Sequence, residues 1–150
     1  MTVTWRSAVS YALTVVVLSW LTGAGVDLAW QAASGGLRAW VSFWVTDPWN
    51  AVFVVTAVIA LTLVRRVLAV LPNWRVALID GAVYLAVLLL CSGISAWAAG
   101  DEGPVDAAFV MAILALFTLQ LPAAWLLSAW RSPHLEVVLS RAGARGPAAA

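Results

Sequence analysis

Polar residues interrupt this chain rarely and at wide intervals. Four runs, about 8–30, 49–71, 74–98 and 106–130, are almost wholly apolar, and breaks bearing Gly, Pro and Asp separate them. A helix needs about 20 such residues to cross the hydrocarbon core of a bilayer. Each run is therefore expected to be a spanning helix, because a helix satisfies its own backbone polar groups where water is absent. The expected fold is all-α, an integral membrane four-helix bundle over residues 1–141, followed by a disordered cytoplasmic tail at 142–150.

The connection between the first two runs has a pattern of its own. In LRAWVSFWVTD (residues 37–47), polar Arg38, Ser42 and Thr46 recur every four residues, and Leu37, Trp40, Val41, Trp44 and Val45 take the other side. This spacing predicts a short amphipathic helix lying in the membrane interface. Anchoring the loop is its plain role; covering an opening or gripping a partner is the sharper one.

Composition agrees with the pattern. Apolar residues make up 64% of the chain and charged residues 10%, whereas a soluble domain is about half apolar and a quarter charged. So few charges leave most of the surface for lipid. All eight basic residues are arginine, and alanine and valine abound, which reads as a GC-rich bacterial genome. A net charge of +1 argues against a nucleic-acid partner, which calls for a basic stripe.

Arginine placement sets the expected orientation. Arg6, Arg65, Arg66, Arg75, Arg131, Arg141 and Arg145 fall on one side of the predicted spans, and Arg38 falls on the other with Asp47, Asp101, Glu102 and Asp106. Cytoplasmic segments carry the arginine excess, so both termini are expected inside a plasma (inner) membrane crossed four times. Trp30, Trp49, Trp74, Trp97 and Trp130 all sit at predicted span ends, the depth that amphipathic indoles prefer. A second reading makes residues 1–24 a signal peptide, with Arg6 as its basic region. Its apolar run is long and its cleavage site poor, and cleavage would leave three spans in the same orientation.

Helix starts are marked. Asp47-Pro48 reads as a cap followed by a first-turn proline, and Asn73 reads as the cap of the third span. Ser132-Pro133 repeats the device and is expected to open a separate short helix on the cytoplasmic surface, with Leu135, Val138 and Leu139 on one face.

The second run ends in Arg65-Arg66. Taking the second and third runs as a hairpin turning at Pro72-Asn73, Arg65 and Asp80 lie equally far from the turn, roughly 10 Å deep. A lone Arg or Asp at a helix centre costs about 2.5–3.5 kcal/mol, so an Arg65–Asp80 ion pair is expected, with Arg66 reaching toward the headgroups. The same reflection through the loop near residue 102 sets Gln120 against Tyr84, one turn from Asp80. Asp80, Tyr84, Val87, Cys91 and Ser95 form a helical stripe that should face inward. The expectation is one polar cluster of Arg65, Asp80, Tyr84 and Gln120. Pro122 frees the Thr118 carbonyl and favours a kink there. Asp27, one turn from Gln31 and sharing a face with Ser19 and Gly23, is a candidate proton or ion site. An interfacial carboxylate meeting water is the plainer reading of it.

The residues exclude several chemistries. The one histidine, His134, lies in the tail, and the one cysteine, Cys91, lies among leucines. No serine–histidine–acid set, metal-ligand spacing or phosphate loop is present, so no enzyme activity and no cofactor is expected. The leading expectation is an accessory or scaffold subunit packed in the bilayer against a larger membrane protein, or a homo-oligomer, using small-residue faces such as Ser19/Gly23. The alternative is a small oligomeric transporter or channel that works through Asp27 or Asp80. A lipid-modifying or lipid-binding protein whose Trp40/Trp44 helix shields a side entrance is a third possibility.

Overall fold

A computed structural model describes residues 4–68, 71–100 and 103–144, with side chains as far as Pro133. All regular structure among them is helical. The elements are α1 (Trp5–Ser34), α2 (Leu37–Val41) continued by a π-helical turn (Ser42–Thr46), α3 (Pro48–Val67), α4 (Asn73–Ala98), α5 (Pro104–Phe117) and α6 (Gln120–Ala144). Three of them, α1, α3 and α4, are long and apolar enough to cross a membrane, and α5 with α6 makes a fourth if that bent pair is one span.

The helices are apolar on their outer faces, and the interior mixes aliphatic and aromatic side chains such as Val15, Phe53 and Leu61 with small or polar ones. On α1 the buried positions include Ala8, Ala12, Ser19 and Gly23, while Leu13, Leu18, Leu21 and Leu28 are exposed. Lipid tails are as apolar as leucine, so bringing leucines together gains little in a bilayer. Small residues instead let backbones approach and dispersion contacts form. The inner stripe of α4 follows the expected spacing, with Asp80, Tyr84, Val87 and Cys91 all buried. Helix α1 packs against α3 and α6, and α4 packs against α3, α5 and α6. Helix α5 leans on α4 and buries only Ala115.

The fourth apolar run is not one helix. It breaks at Thr118–Leu119, and α5 and α6 diverge by 60°. Leu119 sits at φ 60, in the left-handed region, which costs a non-glycine residue about 1–2 kcal/mol. Pro122 accounts for the site of the break. It has no N–H to give the Thr118 carbonyl, and it is tolerated in the first turn of a new helix. The kink expected from Pro122 is thus a full interruption.

Three expected boundaries need correction. The Ser132-Pro133 pair opens no new helix, because α6 runs through Pro133 to Ala144. Pro133 deprives the Ala129 carbonyl of its donor, and the Ser132 hydroxyl donates to that carbonyl at 3.1 Å. A serine that could cap a new helix here supplies the donor that the proline removes. The same helix covers residues 142–144 of the expected disordered tail, and 145–150 lie outside the described residues. Helix α4 starts at Asn73 itself, with Pro72 at the cap position and no side-chain cap. Asp47 does cap α3, its Oδ1 accepting from Trp49 N at 3.0 Å, with Pro48 next in the chain.

Candidate functional site

Polar side chains divide the interior into two levels. The first lies toward the end of the bundle that carries Arg66 and Arg75. There Arg65 Nη2 of α3 lies 2.8 Å from Asp80 Oδ1 of α4, with side chains 3% and 0% exposed. The guanidinium N–H is not aligned on that oxygen, so the contact is an ion pair rather than a directed hydrogen bond, and Arg65 Nε has no partner. The other carboxylate oxygen accepts from the Tyr11 hydroxyl at 2.5 Å. That hydroxyl also lies 3.3 Å from the Ser128 carbonyl of α6. Asp80 therefore joins α3 and α1 directly and reaches α6 through Tyr11. Gly81, its neighbour, lets Trp125 of α6 lie against the α4 backbone: a Cβ there would sit 1.5 Å from the indole Nε1.

One turn further along α4, Gln120 Nε2 donates to the Tyr84 hydroxyl at 2.7 Å, and Phe53 meets the Tyr84 ring edge-on at 5.2 Å. Gln120 is the first residue after the helix break, and Gly23 of α1 makes room for it, since a Cβ on Gly23 would come 3.0 Å from Gln120 Cβ. The four residues expected as one cluster thus form two pairs on one face of α4. Among the described residues no hydrogen bond joins the pairs.

The second level lies at the end that carries α2. Here α2 and its π-turn fold over the bundle and are tied to α1 by two indole N–H groups. Trp40 Nε1 donates to the Ala24 carbonyl at 2.9 Å, and Trp44 Nε1 donates to Asp27 Oδ2 at 2.7 Å. Gln31 Nε2 lies 3.5 Å from Asp27 Oδ1. Asn50 of α3 holds the π-turn from the other side, donating to the Phe43 carbonyl at 2.5 Å and accepting from Trp20 at 3.3 Å. Trp44 stands edge-on to both Trp20 and Phe43. The expected amphipathic helix is real in outline, but its apolar side divides. Trp44 is buried and Trp40 half-buried, while Leu37, Val41 and Val45 are exposed. Arg38, which shares the exposed polar side with Ser42 and Thr46, makes none of these ties.

Beneath this flap lie two chambers, of about 220 and 270 Å³. They share Phe43, Trp44, Met111 and Gln120 as walls. One continues between α3 and α4 past Cys91 and Ser95; the other runs between α1 and α5 past Asp27 and Gln31. Neither is lined by Arg65 or Asp80.

Several members of these sites escaped sequence reading. Tyr11 is the principal one, and depth could have found it. It lies about as far into α1 from the Arg6 end as Asp80 lies into α4, and it carries the largest polar group at that depth. Trp20 and Asn50 gave no such signal. Arg66, expected among headgroups, lies over the Trp5 ring at 3.9 Å. Ser19 and Gly23 are buried within the chain's own bundle, so that face is not open to a partner. Among the described residues no group of three His, Cys, Asp or Glu is placed to hold a metal ion. Compared with protein-family models, with curated proteins and with solved structures, the chain matches none.

Proposed function

We propose that this chain is a non-enzymatic, four-pass protein of the plasma membrane in which α5 and α6 form one broken span. Both termini are cytoplasmic, and the α2 end faces outward. Arginine asymmetry supports this orientation. So does the bend, because a 60° divergence falls well short of the reversal a re-entrant hairpin needs.

Within that frame the protein acts as a small transporter or channel that works through Asp27. One observation carries this reading: a partly open cavity runs from the α2 end to the helix break at Gln120, with Asp27 in its wall. Transporters commonly build their sites where a helix is interrupted within the membrane. Of the two carboxylates first considered, Asp80 is enclosed by Arg65 and Tyr11, and only Asp27 meets the cavity. Proton flux into liposomes carrying the purified protein tests this. The Asp27→Asn variant should lose the flux while keeping its fold, and undiminished flux would overturn the reading.

An accessory subunit remains the second reading, favoured by the closed Arg65 end. Ala8, Ala12, Val15 and Leu61 are fully buried there, and a protein that moves no solute has no need of a path through. With Ser19/Gly23 occupied, a partner would dock on a lipid-exposed face. Co-purification of one membrane protein in mild detergent, together with absent flux, would favour this reading over transport.

A further inference from the structure

The chambers under the flap differ from the rest of the bundle in the walls they offer. The charged groups in those walls are carboxylates, Asp27 in one chamber and Asp47 in the other, and no arginine faces either. Asp47 is committed to capping α3. Asp27 is only half used: Trp44 occupies one oxygen at 2.7 Å, and Gln31 makes a long 3.5 Å contact with the other. A carboxylate accepts about four hydrogen bonds, so Asp27 has capacity left toward the chamber it lines. The shared partition is soft and polarisable, built from Phe43, Trp44 and Met111. Aromatic faces attract cations when water is thinned out, and thioethers adapt to irregular apolar bodies. An anion would meet Asp27 with no basic group to offset it.

We propose that the α1–α5 chamber binds an organic cation with a compact apolar body, its charge beside Asp27 and its body against Trp44 and Met111. The inference rests on Asp27 being the working group and names the ligand class it serves. Size limits the ligand further. A chamber of about 270 Å³ lies at the lower edge of small-molecule sites, which span about 300–1,000 Å³. The fit is to a single-ring ammonium compound rather than to a long-chain amphiphile. The flap then has a part to play, because the bond between Trp44 and Asp27 sets the indole beside the carboxylate.

The test uses the full chain in mild detergent, with radiolabelled benzyltrimethylammonium as probe and benzenesulfonate as the anionic counterpart. Saturable binding of the cation is expected, unaffected by benzenesulfonate. Asp27→Asn should weaken it by about tenfold or more, the effect of removing one charge from a partly desolvated pair. Asp27→Glu should restore most of it, which separates loss of charge from loss of fold. No saturable binding, equal binding by folded Asp27→Asn, or benzenesulfonate binding as well as the cation would overturn the proposal. Asp27-dependent proton flux without cation binding would overturn it and leave the transport reading standing. Cation binding without flux would do the reverse.

Discussion

Arg65, two residues from the end of α3, and Asp80, seven residues into α4, face each other at 2.8 Å. Neither charge reaches water. Each is tolerable at that depth because the other is present, and the pair fixes the register of the hairpin. Replacing either partner alone leaves an uncompensated buried charge, which costs about 3–5 kcal/mol. Asp80→Asn and Arg65→Met should each lower the unfolding midpoint in detergent by a large margin, and the double variant should recover much of the loss. Additive losses in that double-mutant cycle would mean that the two groups do not depend on each other.

Tyr11 fastens α1 to that pair. Tyr11→Phe keeps the ring and removes the donor to Asp80. A buried acceptor left without its donor costs about 1–3 kcal/mol. The expected result is a loss of that order in the same unfolding assay, and a much smaller further loss when Asp80→Asn and Arg65→Met are already present.

Gly81 and Trp125 form a second coupled pair, based on shape. A methyl group at Gly81 would overlap the indole, so Gly81→Ala must push Trp125 off α4. Overpacking of this kind costs about 1–3 kcal/mol. Trp125→Ala should make Gly81→Ala nearly silent in a thermal unfolding series. If Gly81→Ala destabilises equally in both backgrounds, the close packing of the two helices is not the cause.

Pro122 follows the helix break, and Thr118 and Gln120 at that break line the Asp27 chamber. Pro122→Ala returns a donor to the Thr118 carbonyl and lets α5 run on into α6. The bend should relax, α5 should close on α1, and the Asp27 chamber should shrink. Spin labels at Phe109 and Leu126 should report a changed separation, and an unchanged one would place the origin of the bend elsewhere.

Much of this was legible in the sequence because lipid makes strict demands. Long apolar runs became helices, and the residues that break those runs became their ends. Reflection through an assumed turn paired Arg65 with Asp80 and Gln120 with Tyr84; both pairs meet, although α3 ends at Val67 and α4 starts at Asn73, so the first two are not equally far from the connection between their helices. The same method missed Tyr11 because it compared only helices consecutive in the chain, and α1 meets Asp80 across the bundle. Ser132-Pro133 misled because a Ser-Pro pair has two uses. In water the serine caps a new helix; here it donates to the carbonyl that the proline orphans. The flap residues Trp20 and Asn50 were hidden for another reason. Their partnership depends on a π-turn at Ser42–Thr46, and nothing in SFWVT announces one.

The central claim is that the cavity beneath the α2 flap opens to the outside of the cell. Thr118 lines its Asp27 chamber, and in a Cys91→Ser background the Thr118→Cys variant would carry the molecule's one thiol. A membrane-impermeant thiol reagent added to intact cells should modify this residue, and benzyltrimethylammonium should slow the reaction. Modification only from the cytoplasmic face, in inverted vesicles, would contradict both the orientation and the site built on it.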